Sequence, residues 1–204
     1  MKILIACESS GIVRDAFAAA GHDAWSCDLL PYSGDKPDGN IRHIRADVRD
    51  VLASSRWDML IAHPPCTYLA VSGLHWNKRV PGRQAKTQEA LDFVRFLMDQ
   101  PIDKIAIENP VSCISTHIRK PDQMIQPYQF GHDASKRTCL WLKNLQPLTI
   151  DPALYVEPRM IDGKPRWANQ TDSGQNKLPP SADRWQKRSE TYAGIASAMA
   201  QAWS

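Results

Sequence analysis

Short apolar runs and amphipathic segments alternate along the first half of the chain. Four runs have the length and apolar content of buried strands: Lys2–Cys7, Ala24–Cys27, Asp58–Ala62 and Lys104–Ile107. Helical spacing of apolar positions predicts helices at Gly11–Ala20, with Ser9 or Ser10 as its cap, and at Thr87–Asp99. A strand followed by a helix and another strand is the opening of a parallel sheet, so the pattern predicts an α/β fold.

The second half of the chain has a different pattern. Ile125–Phe130 and Thr138–Leu142 are strand-like and are joined by a short polar segment, which predicts a late antiparallel hairpin. Periodicity then fades into Pro, Gly, Asn and Asp over residues 146–187, and we expect a long loop or a reduced insertion there. The last segment, 188–204, has apolar residues at helical spacing and predicts a packed terminal helix.

Composition narrows the class of protein. A chain of 204 residues with 43% hydrophobic content favours a single domain over 1–204. No apolar run approaches the ~20 residues of a membrane span, and the first run breaks at Glu8, too early for a secretory signal. Five scattered cysteines with no C-x-x-C pair are typical of a reducing compartment, so we expect a cytoplasmic protein. The net charge of +3 does not by itself identify a nucleic-acid binder.

Reactive residues follow the predicted strands. In open α/β sheets, ligands bind at the carboxyl ends of the strands, so these residues should face one crevice. They are Cys7-Glu8-Ser9-Ser10-Gly11, Asp28, His63-Pro64-Pro65-Cys66 and Glu108-Asn109-Pro110. Asp28 is placed either to accept the ribose hydroxyls of a nucleotide or to begin a turn. Asp47 either contacts an adenine or caps a short helix over Val48–Ala53.

These segments together resemble the cytosine-5 DNA methyltransferases, which carry a Pro-Pro-Cys loop and a Glu-Asn pair on successive strand ends. Residues 4–11 stand in place of the family's glycine-rich cofactor loop, and Asp28 stands where the family binds the cofactor ribose. Lys136-Arg137-Thr138-Cys139 is similar to the family's basic strand, and residues 190–194 are similar to its final motif. The resemblance covers most of the chain except residues 146–187, where the family places a large target-recognition domain.

The resemblance implies a single-domain, Rossmann-like methyltransferase fold that uses S-adenosylmethionine and acts on DNA. Cys66 is then the thiolate that adds to carbon 6 of cytosine, Glu108 is the acid that protonates ring nitrogen 3, and Arg137 supplies positive charge beside the thiol. The family pattern also places Pro64 and Tyr192 beside the cofactor, and Asn109 and Lys136 beside the target base.

The first loop departs from the family pattern because Glu8 and Ser10 replace glycines. Backbone amides of Ser9, Ser10 and Gly11 can still bind the methionine carboxylate at a helix N-terminus, with Cys7 nearby and Glu8 paired with the methionine ammonium.

A basic cluster follows the nucleophile segment. Lys78, Arg79, Arg83 and Lys86 lie close together around Pro81-Gly82, and we expect a mobile loop that contacts DNA phosphates or, alternatively, a solvated loop. Side chains of residues 146–187 are the candidates for reading bases: Arg159, Lys164, Arg166, Asn169, Gln170, Gln175, Asn176 and Lys177.

Rival functions remain open in part. A zinc-dependent cytidine deaminase needs H-x-E and P-C-x-x-C elements, and neither is present, so we expect no metal. A methyltransferase-like module that binds nucleic acid or a partner without catalysis is one alternative. The same chemistry on a nucleotide or on RNA is another, and the sequence gives neither the target site nor the oligomeric state.

Overall fold

The structure, a computed structural model, describes residues 1–34, 42–181 and 184–204. A seven-stranded sheet is the centre of the fold, with the strand order β3-β2-β1-β4-β5-β7-β6. Its strands are β1 (Lys2–Ala6), β2 (Asp23–Asp28), β3 (His43–Arg45), β4 (Met59–Ala62), β5 (Lys104–Pro110), β6 (Gln123–Ile125) and β7 (Thr138–Lys143). The first five strands run parallel, whereas β7 is antiparallel to both β5 and β6. The predicted α/β fold with a mostly parallel sheet and a late antiparallel pair is confirmed.

Helices cover both faces of this sheet. They are α1 (Ile12–Ala19), α2 (Val48–Ser54), α3 (Arg83–Met98), α4 (Ile114–His117), α5 (Arg184–Ser189) and α6 (Ala193–Trp203). Short 3₁₀ helices occur at Val71–Lys78, Pro127–Phe130 and Pro152–Leu154. A small separate hairpin consists of β8 (Arg159–Ile161) and β9 (Lys164–Arg166).

The alternation of side chains along the strands divides the core into two layers. Leu4 and Leu60 face one way and pack with the buried faces of α2 and α3. Ile3 and Ile61 face the other way and pack with α1 and with α6, whose residue Trp203 is buried there. Burial on both faces explains why the central strands are continuous apolar runs rather than alternating ones.

Several predicted boundaries are wrong. The sequence analysis did not predict β3, because the strand is short and none of its three residues is fully buried. The first hairpin strand was expected to reach Phe130 but ends at Ile125, since Pro127 lacks the N–H that a sheet ladder needs and begins a 3₁₀ helix. Helix α3 begins at Arg83 rather than Thr87. Pro31, Gly34, Pro37 and Gly39 predict a turn-rich loop after β2, and of these Pro37 and Gly39 lie outside the described residues.

The basic cluster does not form one loop. Lys78 ends a 3₁₀ helix and Arg79 follows it directly, whereas Arg83 and Lys86 lie in the first turn of α3. Arg83 donates to the Thr67 carbonyl at 3.0 Å. Lys86 pairs with Glu89 at 3.1 Å.

Candidate active site

The site lies where the strand order of the sheet reverses. Strands β2 and β4 flank β1 on opposite sides, so the chain leaves the carboxyl ends of these strands in opposite directions and opens a crevice between them. The loops after β1, β2, β4 and β5 all reach this edge. They carry the segments that the sequence predicted to share one crevice, and they divide into an open cavity and a buried polar cluster.

The cavity has a volume of about 300 Å³, a size typical of small-ligand sites. Its walls combine carboxylates with apolar side chains, and they include Cys7, Asp28, Asp47, Val48, Pro65 and Phe93. Helices α2 and α3 supply the apolar wall, because Val48 and Phe93 are at their cavity-facing positions. A flat ring between such walls, with carboxylates at one end, is the arrangement that suits a nucleoside.

Asp28 has acceptor capacity left for a ligand. It ends β2, and its Oδ1 accepts a hydrogen bond from the Leu30 N–H at 2.9 Å. Its Oδ2 receives none from the residues that the structure describes. Asp28 therefore begins the turn and also lines the cavity, so its position is compatible with both alternatives, and the contact with a ribose stays a prediction.

Asp47 caps α2 and also lines the cavity, so its position is compatible with both the capping role and the contact with an adenine. Its Oδ1 accepts from the Arg49 N–H at 2.9 Å, so it caps α2. Its Oδ2 contacts the Arg49 guanidinium at 3.2 Å, and that guanidinium lies 4.8 Å from the centre of the Phe93 ring. Arg49 thereby joins the carboxylate to the aromatic wall of the cavity.

In the loop after β1, the Glu8 side chain binds backbone amides of the same chain, which the sequence analysis did not predict. Glu8 is buried, and its carboxylate accepts from the Val13 N–H at 2.7 Å and from the Arg14 N–H at 3.3 Å. Two amides at the start of α1 are thus satisfied internally and are not available to a ligand carboxylate. Burial raises the pKa of Glu8, while His63 and these two amides lower it.

Only one member of the predicted cofactor loop lines the cavity, namely Cys7. Glu8, Ser9, Ser10 and Gly11 are not among the lining residues. Gly11 precedes α1 with a φ of 75°, and a Cβ there would lie 2.4 Å from the Arg14 side chain. Glycine is therefore needed at this position for the backbone turn and for the close packing of Arg14.

Cys66 follows β4 and begins a tight turn, because its carbonyl accepts from the Leu69 and Ala70 amides. Burial raises the pKa of the Cys66 thiol, and the nearby Glu108 carboxylate raises it further. Lys136 and Arg188 act in the opposite direction. Cys66 is partly exposed, and its neighbour Pro65 lines the cavity.

Lys136 has the place that was predicted for Arg137. Arg137 is exposed, and its charge acts on Tyr128 and Cys139 rather than on Cys66. The two side chains project differently because successive residues of an extended chain alternate in direction. Lys136 Nζ also donates to the Glu190 carbonyl at 3.0 Å, which ties this strand to the segment before α6.

Glu108 lies on β5, beside the nucleophile loop. Its Oε2 is 3.2 Å from His63 Nδ1, and the carboxylate and the ring are both about nine-tenths buried. Burial alone would raise the pKa of Glu108, but the bonds and charge from His63, the charge of Lys136 and a hydrogen bond with Thr138 together lower it.

Asn109 holds the nucleophile loop in place through a side-chain hydrogen bond. Its side chain is buried, and Nδ2 donates to the Pro64 carbonyl at 2.7 Å. Pro64 and Pro65 have no N–H, so the loop offers only carbonyl groups for such a bond. Asn109 Oδ1 has no hydrogen-bond partner among the described residues, and the roles of Asn109 at the base and of Pro64 at the cofactor stay predictions.

Tyr192 is placed away from the first cavity. It precedes α6 and lines a second cavity of about 380 Å³, together with Asn169 and Lys177. Residues 146–187 were predicted as a long loop or a reduced insertion. They contribute residues to this second cavity and include the hairpin of β8 and β9. Trp167 is buried there and stacks on Tyr128 with ring centres 4.1 Å apart.

His63 is the residue that sequence reasoning undervalued. The sequence analysis assigned it no role of its own, and its position directly before Pro-Pro-Cys on the same strand end was the available indication of one. Phe93 was missed because it lies outside the main apolar stripe of α3. Within the described part of the chain, no group of three or more His, Cys, Asp or Glu side chains is arranged to hold a metal, and no helix is long and apolar enough to span a membrane.

Comparison with known proteins gives a similarity in fold. No protein-family model matches this sequence, and no curated protein matches it either. A solved structure from E. coli, described as a "putative DNA modification methyltransferase encoded within prophage", superposes with a TM-score of 0.45 at 16% sequence identity. The match covers 78% of this chain and 56% of that protein, so this chain spans little more than half of its length. A similarity of this degree does not assign a function.

Proposed function

We propose that this protein transfers a methyl group from S-adenosylmethionine to carbon 5 of cytosine in DNA. One observation carries the proposal: a partly exposed cysteine, Cys66, and a buried carboxylate, Glu108, lie at adjacent strand ends, beside a cavity that is lined by Pro65 and suits a nucleoside. Cysteine and a carboxyl group are the pair that this chemistry requires, because one adds to the ring and the other neutralises the charge that the addition creates.

The cavity fits the nucleoside end of the cofactor. Asp28 offers the ribose a carboxylate oxygen that no described residue binds, and Val48, Pro65 and Phe93 offer apolar surfaces to the adenine. When bound, the cofactor supplies an electrophilic methyl group on a positively charged sulfur. The predicted contacts of Glu8 with the methionine ammonium, and of Ser9, Ser10 and Gly11 with its carboxylate, are harder to accommodate because Glu8 occupies amides at the start of α1.

Cys66 begins the chemistry. Its thiolate sulfur bonds to carbon 6, and the electron pair of the 5,6 double bond becomes available at carbon 5. Ring nitrogen 3 takes a proton from Glu108 at this stage. Carbon 5 then bonds to the methyl group, the old bond from the methyl carbon to sulfur breaks, and its electron pair stays on the sulfur.

The end of the reaction restores both groups. Water removes the proton from carbon 5, the bond from Cys66 to carbon 6 breaks, and the thiolate and the proton on nitrogen 3 return to the protein. Because the Glu108 pKa is lowered, its carboxyl group is ionised near neutral pH and must take up one proton as the base binds. Lys136 and Arg188 favour the thiolate by their charge.

We assign the contacts with DNA to an exposed surface formed by residues 76–79, which follow Cys66 in the sequence. Trp76 is 45% exposed, and the guanidinium of Arg79 lies 5.7 Å from the centre of its ring. Lys78 and Arg79 can contact phosphates, and an exposed ring beside them can stack on a base. Arg83 and Lys86 are held by Thr67 and Glu89, so we assign them a smaller part.

We also propose that residues 146–187 form a reduced recognition segment. Arg159 and Arg166 are held by contacts with Asp172, and Asn169 is held by Ser135. Lys164, Gln175 and Lys177 are exposed and remain for contacts with bases. With so few contacts, the expected target is a few base pairs long or loosely paired, where a base is flipped out at lower cost.

A mechanism-based trap tests the proposal. DNA that contains 5-fluorocytosine cannot release fluorine as a proton, so the bond from Cys66 to the ring should persist after methyl transfer. We expect a protein–DNA adduct that survives denaturing electrophoresis and that requires S-adenosylmethionine. Cys66→Ala should give no adduct, whereas Cys113→Ala, which removes a buried thiol in the core, should give the wild-type yield.

The outcomes separate the alternatives. Equal adduct yields from wild type and Cys66→Ala would rule out Cys66 as the nucleophile. Adducts formed only with RNA or with a free nucleotide would move the substrate class and keep the chemistry. Binding of DNA without any adduct or methylation would favour the non-catalytic module, for which the internal occupation of the α1 terminus by Glu8 is the supporting observation.

A further inference from the structure

His63 connects two buried carboxylates on neighbouring loops. Its Nδ1 is 3.2 Å from Oε2 of Glu108, and its charge also acts on Glu8. The side chain is 9% exposed, and Nε2 has no hydrogen-bond partner among the described residues. A buried histidine that contacts a carboxylate indicates a role in the site rather than in packing of the core.

The backbone fixes where this ring sits. The His63 N–H donates to the Ala6 carbonyl at 2.9 Å, which continues the pairing of β1 with β4 by one residue. Because Ala6 and Glu8 are on the same chain segment, His63 is held between the loop after β1 and the acid on β5. The two prolines that follow restrict the backbone further.

We propose that His63 is a positioning residue for Glu108 in the methyl transfer, and this inference rests on the proposed function. A carboxylate has only acceptors, so Nδ1 must donate its hydrogen to Oε2. That bond fixes the rotation of the carboxyl group and leaves Oε1 to face the base. It also stabilises the carboxylate that forms when Glu108 gives its proton to nitrogen 3.

Other charged groups face the pair and define its electrostatics. The Glu8 carboxylate lies on the side of β1, the Cys66 thiol on the nucleophile loop, and Lys136 and Cys139 on the side of β7. Of these, Lys136 favours the ionised carboxyl group. Removing His63 takes away the largest of the influences that lower the Glu108 pKa, so burial dominates and that pKa rises.

The test compares two substitutions. His63→Leu removes the donor, whereas His63→Asn keeps an amide N–H at nearly the position of Nδ1. We expect His63→Leu to slow single-turnover methylation by about 10- to 100-fold, the range of a lost hydrogen bond to a charged group. His63→Asn should recover to within about fivefold of wild type, with cofactor affinity unchanged in both variants.

Two further readouts distinguish positioning from a general loss of structure. The reaction needs a protonated Glu108 and an ionised Cys66, and the Glu108 pKa is the lower of the two, so the acid-side break in the pH profile of methylation falls at the Glu108 pKa. This break should move to higher pH in His63→Leu, because the Glu108 pKa rises. In the background of Glu108→Gln, His63→Leu should cause little additional loss, since both changes act on one group. An unshifted pH profile, or losses that multiply in the double variant, would overturn the inference.

Failure of the inference differs from failure of the proposed function. If wild type neither methylates nor forms an adduct, the proposed function fails. If wild type is active and His63→Leu matches it in rate and pH profile, only the role of His63 fails. If His63→Leu does not fold, His63→Ala, which also removes the donor, takes its place in both readouts: wild-type rate with an unchanged acid-side break contradicts the assignment, and a slower rate with a raised break supports it.

Discussion

The two halves of the site hold their polar groups in opposite ways. In the cavity, one Asp28 oxygen accepts no hydrogen bond from the described residues, and the walls combine charged groups with apolar side chains such as Val48 and Phe93. In the buried cluster, Glu108 and Asn109 are bound to His63 and Pro64. A cavity with unused acceptors suits recognition of a ligand, whereas fixed and buried groups suit a reaction, because their orientation is set before the substrate arrives.

This contrast predicts that the two halves can be impaired separately. Substitutions in the cluster should reduce rates and leave cofactor affinity intact, and substitutions in the cavity should do the reverse. Each of the following variants therefore serves as the control for another.

Glu108→Gln should have the largest effect. The amide keeps a similar shape and offers no acidic proton, so methylation should fall by ~10²–10⁴-fold, the usual contribution of a general acid. S-adenosylmethionine affinity, measured by calorimetry, should stay within about twofold of wild type. A loss of methylation below about tenfold would remove Glu108 from the mechanism, and a loss of affinity would show that the two halves are not separate.

Asp28→Ala should affect the other half. It removes the acceptor offered to the ribose, and a hydrogen bond to a charged group contributes about 1.5–3 kcal/mol, or roughly 10- to 150-fold in affinity. Calorimetry should show this weakening. Alkylation of Cys66 by iodoacetamide should proceed at the wild-type rate, since Asp28 lies outside the buried cluster. Unchanged cofactor affinity would contradict the ribose role.

Lys136→Met should produce a smaller change within the cluster. Because Lys136 lowers the Cys66 pKa, its loss raises that pKa, and less thiolate is present at any pH below it. Alkylation of Cys66, followed by mass spectrometry, should slow by about two- to tenfold near neutral pH and should need a higher pH to reach its maximum. Arg137→Met is the matched control and should leave this curve in place. A shift with Arg137→Met alone would restore the role that the sequence predicted for it.

The smallest effect is expected at the exposed surface outside both halves. Replacing Lys78 and Arg79 with alanine should weaken DNA binding for all sequences alike. The slope of log affinity against log salt should fall by roughly one unit per lost phosphate contact. Lys143→Ala and Lys104→Ala, on the other end of the sheet, provide the comparison. An equal slope in both double variants would make Lys78 and Arg79 ordinary surface charges.

The sequence predicted the sheet and the reactive strand ends because both depend on local patterns. Buried parallel strands are apolar runs, and residues at their carboxyl ends meet at one edge, so Cys66 and Glu108 could be paired across 41 intervening positions of sequence. The direction in which individual side chains point was not predicted correctly. Whether Lys136 or Arg137 faces a thiol depends on the register of β7 against β5, and a one-residue change reverses every side chain.

The partners of Glu8 and Asn109 could not be predicted for a related reason. Both residues bind backbone groups, Glu8 at the start of α1 and Asn109 at Pro64, and backbone groups have no distinctive residue type. A sequence therefore shows the polar side chain and not the group that satisfies it. The family resemblance implies a ligand for Glu8 and a base for Asn109, and it does not indicate the backbone partners that the two side chains have in this structure.

The bond from Asn109 to the Pro64 carbonyl has a consequence for mutational screens. Exchange of Asn109 for aspartate would set carboxylate lone pairs against a carbonyl oxygen and release the loop that carries the nucleophile. Activity would be lost although the thiol and the acid are both intact. A screen that scores activity alone would count position 109 among the reactive groups, whereas a parallel screen for the alkylation rate of Cys66 would identify it as the fastening of a loop.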